Sequence, residues 1–284
     1  MIRLDPRFTE RCAFFFLFLS TLLILVPVFL ILVMVVKNGF PILTWEFLTA
    51  YPRLGMRAGG IFPALLGTIY LVLGTFAFSL PIGILAAIYL SEYAGEHGFK
   101  RVIEVAIVNL AGVPSVVYGL FGLALFVIFL KFGASILSGS LTLAIMSLPV
   151  IITASREALA AVPKSFREVS LALGATKWQT IQRVVLPNAL PGIITGTILA
   201  MSRAAGETAP ILFTVAAFYL PHLPQSILDQ CMALPYHLYV ITTQVPNVKP
   251  TLQYGTALVL ILLVLTMNTI AILIRARFRK RRLW

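Results

Sequence analysis

The sequence predicts an all-α, polytopic membrane protein with six transmembrane helices. Composition, the length of the apolar runs and the placement of Lys and Arg lead there. Charged residues make up 11% of the chain and hydrophobic ones 60%, whereas ordinary soluble domains carry about 25% charged residues. Six windows, at 12–36, 61–90, 102–130, 141–155, 189–212 and 254–274, are apolar enough to cross a bilayer, which takes roughly 20 residues each. None shows the apolar–polar alternation of β-barrel strands. The whole of 1–284 is expected to form one transmembrane domain.

The net charge of +12 divides unevenly about those windows. With a cytoplasmic N-terminus, the inner side receives Arg3, Arg7, Arg11, Lys100, Arg101, Arg156, Lys164, Arg167, Lys177, Arg183 and the basic residues from Arg275 to Arg282. The other side receives Lys37, Arg53, Arg57, Lys131 and Lys249. Positive-inside asymmetry then predicts both termini and the polar segment 156–187 in the cytoplasm. The tail RARFRKRRLW lies beside a span and reads as a topological anchor, so no nucleic-acid partner is expected.

The first window is longer than the about 7–15 apolar residues of a signal peptide, and no small-residue cleavage site follows; an uncleaved anchor is expected. The loop 37–60 carries Trp45 and Tyr51, suited to an interface, and ends in Gly59-Gly60. Pro81 and Gly83 mark the second window, and Pro114, Gly119 and Gly122 the third, read as helix-packing residues. The fourth window is short, and a start near Ile136 would lengthen it. In the fifth, Gly192, Gly196, Ala200 and Ala204 repeat every four residues, a small-residue seam that lets helix backbones approach closely in lipid. The stretch 218–253 is an outer segment rich in proline and aromatics, with 227–238 expected along the membrane surface. Cys12 and Cys231 fall on opposite sides, which excludes a disulfide between them. His97, His222 and His237 lie outside the windows as loop or interface residues.

The polar segment Arg156–Pro187 reads REALAAVPKSFREVSLALGATKWQTIQRVVLP. Pro163 suits a helix start, Phe166, Val169 and Leu173 recur at helical spacing, and Gly174 supplies the stop. Thr176 with Gln179 forms a capping box that opens a second short helix; Trp178, Ile181 and Val185 share one face, and Pro187 closes the unit. An amphipathic hairpin on the headgroups is one reading. Surface helices favour dense Lys/Arg faces, however, and here Glu157 and Glu168 mix with the basic residues, which favours a helix-in-groove contact with a protein partner.

Arg203 and Glu207 are the charged residues placed well inside the bilayer, where ionisable groups are costly and mark a pathway by default. Their i, i+4 spacing lets them pair on one helix face. One reading is a self-neutralising structural pair. The other is a polar station for an anion, because a guanidinium fork suits phosphate-like oxyanions. No phosphate-binding G-x-x-x-x-G-K-[ST] loop, H-E-x-x-H motif or paired aspartates occur, so no catalytic residue and no metal are expected.

From Glu168 the order Glu-Val-Ser, three residues, Gly174, nine residues, Val-Val-Leu-Pro187 resembles the EAA loop of ABC importer permeases, E-A-A-x3-G-x9-I-x-L-P, with Val169, Ser170 and Val184 as mild departures. The string Arg203-Ala-Ala-Gly-Glu-Thr-Ala-Pro210, with Gly59-Gly60-Ile, Gly67-Thr68, Glu92-Tyr93-Ala94 and Val113-Pro-Ser-Val-Val-Tyr-Gly119, is similar to the A-type permeases of phosphate-specific ABC importers. The C-type partner permeases share part of the last-named family's string. The resemblance implies a type I importer fold, with the stretch Glu168 to Ala175, including Val169, Leu173 and Gly174, coupling to an ATPase. Phe166 joins that face by its helical spacing, and the resemblance puts Arg203 at the closing interface, where with Glu207 it is the candidate for the substrate path. It implies a homologous permease partner in a heterodimer, two ATPase subunits that hold ATP and magnesium, an external phosphate-binding protein, and no cofactor on this chain. A permease for another oxyanion, a secondary transporter and a channel are the alternatives, although inverted repeats and a selectivity-filter sequence are absent.

Overall fold

The computed structural model describes residues 6–279 apart from Glu96 and Pro221. Arg3, Lys280, Arg281 and Arg282, counted above among the anchors, lie outside the described residues, as does the side chain of Cys12. Twelve helices are described among these residues: α1 Pro6–Gly39, α2 Trp45–Thr49, α3 Phe62–Ile88, α4 Gly98–Ala111, α5 Ser115–Gly122, α6 Ile136–Ala160, α7 Lys164–Ala172, α8 Lys177–Thr180, α9 Leu186–Gly206, α10 Ala209–Thr214, α11 Leu234–Thr243 and α12 Pro250–Arg279. A two-stranded antiparallel hairpin, β1 Pro52–Arg53 with β2 Ala58–Gly59, lies between α2 and α3. Among the described residues five helical stretches are long and apolar enough to cross a membrane, and a bent pair, taken as one span, brings the number to six.

That pair corrects the third window. Residues 102–130 are not one rod: α4 and the stretch Ser115–Phe129 meet at 104°. Pro114 has no N–H and disfavours a helical residue before it, so the helix ends at Ala111 and restarts at Ser115. The Tyr118 hydroxyl donates to the Leu110 carbonyl at 2.8 Å, joining the Val113 N–H that bonds the same oxygen at 3.1 Å and tying α5 to the end of α4.

The fifth window is corrected as well. The helix begins far earlier, at Lys177, and runs through Pro187, so Pro187 does not close the polar segment. A wider π turn over Ile181–Val185 precedes it, which relieves the clash of a proline ring with the carbonyl four residues back. The helix then stops at Gly206, and α10 resumes at Ala209. The fourth span does start at Ile136 and reaches Ala160.

The small-residue seam works inside the chain. A Cβ added at Gly192 would overlap that of Ala158, and one at Gly196 that of Ala154, so α9 lies antiparallel to α6 with almost no side chain between. Ala200 and Ala204 continue the buried line. Two apolar clusters cap the bundle. One joins Leu90, Leu159, Val162, Ile181 and Val185 at the end bearing the polar segment; the other joins Phe47, Ile61, Leu234, Ile241 and Leu252 at the opposite end.

That second cluster overturns the surface placement of the later part of 227–238: Ile227 and Leu228 are exposed, whereas 231–237 are buried. Residues 227–233 are turns and a bridge, and α11 is packed inward, with Leu234, Val240 and Ile241 fully buried. His237 is buried there too, and burial pushes it down to about 4. Burial pushes the Cys231 thiol up to about 12, while the backbone N–H groups of Gln225 and Ser226 hold the Asp229 carboxyl below its ordinary value.

Candidate functional site

Two places carry polar chemistry. The first is the segment between α6 and α9. Pro163 is the residue before α7, and its extended backbone turns the chain out of α6. Gly174 takes φ +83°, a left-handed conformation that disfavours a Cβ by roughly 1–2 kcal/mol. Its N–H donates to Leu171 O at 2.9 Å, and that of Ala175 to Ser170 O at 3.2 Å, closing α7 as glycine C-caps do. The capping box is present: Thr176 Oγ1 accepts from the Gln179 N–H, and Gln179 Oε1 from the Thr176 N–H.

The predicted apolar stripe divides. Phe166 packs onto the buried cluster, whereas Val169 is 58% and Leu173 83% exposed. Glu168 and Gly174 are exposed, and Ala175 is half-buried. Phe166, Val169 and Leu173 still share one shallow groove of ≈ 400 Å³ with Ser165, Ser170 and Val184. On the second helix Ile181 and Val185 are buried but Trp178 is half exposed.

The second place is the α9 break. Arg203 lies in the last turn of α9, and Glu207 is the residue after it, in extended backbone. The two are therefore not on one helix face, yet they pair, Arg203 Nε to Glu207 Oε1 at 3.1 Å. Extending the antiparallel register from Gly196 against Ala154 by seven residues puts Arg203 level with about Ser147. That is near the middle of α6, so the pair sits at mid-span. The Arg203 side chain is 41% exposed and that of Glu207 17%.

The α4–α5 break lies against this one. A Cβ on Gly119 would come within 3.0 Å of Ala209 O and Pro210 Cα, so α5 packs on the first turn of α10. Two interrupted helices thus meet beside one ion pair. Sequence reasoning singled out Arg203 and Glu207 but read Pro114 and Gly119 as packing residues; Gly112-Val-Pro114 and Gly206-Glu-Thr208 were the signals of paired breaks. Among the described residues no group of three or more His, Cys, Asp or Glu side chains could hold a metal ion.

Residues 79–284 match the family model described as "Binding-protein-dependent transport system inner membrane component". The chain is 35% identical over 99% of its length to "Phosphate transport system permease protein PstA 1" of Mycobacterium tuberculosis, covering 92% of that protein. It is 34% identical to "Probable ABC transporter permease protein YqgI" of Bacillus subtilis, over 84% of this chain and 85% of that one. A bacterial ABC transporter involved in alginate import has the same fold, with TM-score 0.68 at 13% identity over 95% of this chain and 98% of that one.

Replacing Gly174 by valine tests the turn. A β-branched residue at φ +83° adds roughly 1–2 kcal/mol of local strain, so trypsin should cleave after the exposed Lys177 faster than in wild type. The melting temperature of the membrane core should stay unchanged. Equal cleavage rates would mean that the turn does not depend on glycine.

Proposed function

This chain belongs to the family of binding-protein-dependent transport system inner membrane components, and from that premise we propose that it is the A-type permease of an ATP-driven phosphate importer. Permeases of this family are membrane-embedded, non-catalytic subunits, so the chain is an integral plasma-membrane protein. ATP and magnesium belong to a separate ATPase in this reading. The observation that carries the substrate is 35% identity across 99% of the chain to a permease named for phosphate.

The chemistry of the break supports that substrate. Arg203 is half in the open at mid-span, and among the described residues its hydrogen-bond partner is Glu207, through Nε. The terminal amines of the guanidinium point to a fork that suits two oxygens of a tetrahedral oxyanion. Glu207 holds the fork and keeps the site from being strongly positive, which limits how tightly an anion is retained; conduction requires release as much as binding. Irregular backbone at membrane depth is tolerated only where protein or a water-filled cavity covers it. A homologous permease across the α9 break supplies that cover, and the path runs between the two.

Coupling follows from the other end. ATPase subunits on the cytoplasmic side grip α7 through Val169, Leu173 and Glu168, with Gly174 and Ala175 shaping its end and Phe166 rooting it in the bundle. Closure of the ATPases moves α7, then α6, then α9 across the seam. Rigid-body motion of this kind switches a site between two exposures. An external binding protein delivers phosphate to the opposite face.

Orientation is tested by single cysteines in a Cys12- and Cys231-free background. A cysteine at position 164 should react only after the membrane is permeabilised, because basic residues are retained inside; reaction from outside intact cells would overturn the orientation.

Arg203→Ala should abolish phosphate uptake while the complex still purifies intact, and Arg203→Lys should restore only part of it, since lysine lacks the planar fork. The double change Arg203→Gln with Glu207→Gln keeps a neutral hydrogen-bonded pair. Near-normal uptake by that double variant would show a packing role and end the pathway reading.

A further inference from the structure

Arg167, one turn into α7, holds three elements at once. Its Nε donates to both carboxylate oxygens of Glu92 at 3.2 Å, and its Nη2 to Glu92 Oε1 at 2.6 Å. Nη2 also reaches the Leu159 carbonyl at 2.9 Å, and Nη1 the Val162 carbonyl at 2.8 Å. Glu92 sits in the π turn Tyr89–Tyr93 that ends the α3 span, 75 residues away in sequence. Leu159 O lies in the last turn of α6, where it also accepts from the Val162 N–H at 3.3 Å, and Val162 O lies just beyond the helix end. The pair is largely buried, with side-chain exposures of 20% for Arg167 and 9% for Glu92.

A guanidinium has five donors in one plane and forms bidentate, directional bonds to a carboxylate. With all three of its nitrogens engaged, Arg167 leaves α7 little freedom to pivot against α3 or α6. Neighbouring contacts close the same gap. Lys177 Nζ stands 4.8 Å from the Tyr93 ring centre, and the hydroxyls of Ser170 and Thr180 meet at 2.9 Å between the two helices of the segment. The face of α7 turned away from this joint is the exposed one that carries Glu168, Val169 and Leu173.

We propose that the Glu92–Arg167 pair is the transmission joint of the transporter, positioning α7 so that its movement is delivered to α3 and α6 together. The inference rests on the coupling role given to α7 above and assigns work that neither residue has in the docking face or at the anion station. Without the pair, α7 still presents its docking face but swings on its connections, and the motion dies before it reaches the α6–α9 seam and the break at Gly206. The joint is then a positioning element: its loss separates ATP hydrolysis from transport instead of lowering both together.

The test uses the complete importer in proteoliposomes with Glu92→Gln, Arg167→Lys and wild type side by side. A Gly206→Cys reporter is added to each, since a Cβ there meets nothing within 4 Å. Three quantities are read: ATP hydrolysed, phosphate moved, and the ATP-dependent change in the rate at which position 206 reacts with a maleimide. Both variants should retain the ATPase and hydrolyse ATP, with phosphate moved per ATP reduced by roughly tenfold, within the usual range of coupling energies. Their ATP-dependent change at position 206 should disappear. A Tyr93→Cys, Lys177→Cys pair bridged by a short cross-linker in the Glu92→Gln background should bring it back. Variants that keep the wild-type change at position 206, or whose hydrolysis and transport fall in proportion without rescue by the bridge, overturn the joint. Failure of the wild type to move phosphate, with the ATP-dependent change at position 206 intact, would overturn the substrate reading alone, because the reporter reads movement and not the anion carried.

Discussion

Backbone polar groups have nowhere to go in lipid, and this constraint governs the molecule. A continuous helix satisfies its own N–H and C=O groups, whereas each break exposes several that cost free energy unless covered. The chain nevertheless breaks two of its crossing helices, at 112–114 and at 207–208, and packs α5 against α10 beside them. Tyr118 returns its hydroxyl to Leu110 O, Gly119 brings α5 against the start of α10, and Arg203 and Glu207 neutralise one another beside them. Irregular structure is concentrated beside the Arg203–Glu207 pair, where the proposed anion station lies, and the rest of the bundle supports that exception.

The support is mechanical as much as thermodynamic. Gly192 and Gly196 remove the side chains between α9 and α6, so sliding or tilting of one is felt directly by the other. At the end bearing the polar segment, α6 meets Arg167 and the cluster of Leu90, Leu159, Val162, Ile181 and Val185. A chain of close contacts thus runs from the exposed α7 through α6 and the seam to the Arg203–Glu207 pair.

Much of this was legible in the residues. Spans are set by apolar run length, so four of the six windows correspond to single helical spans, and the other two cross the breaks after Ala111 and Gly206. The Gly174 turn and the Thr176–Gln179 capping box are local devices that need only a few neighbours, and both form as read. What local pattern could not supply was tertiary context. Pro114 and Gly206 break helices, but Pro81, Pro149 and Pro187 do not; whether a proline is absorbed by a wider turn or ends the helix depends on what lies alongside. The burial of α11 depends on α3 and α12, and the inward turn of Phe166 on a cluster assembled from residues far apart in sequence. Of the mid-span site, the two charged residues were visible and the partner break was not.

The central claim is that the paired breaks border a water-accessible, anion-binding face at mid-span. The most direct measurement is the reaction of a Thr208→Cys variant, assembled in the whole transporter and free of other cysteines, with a charged, membrane-impermeant thiol reagent in the presence and absence of phosphate. The account predicts that the position reacts and that phosphate slows the reaction, while chloride at the same ionic strength does not. A position 208 that stays unreactive, or reacts at a rate indifferent to phosphate, would contradict it.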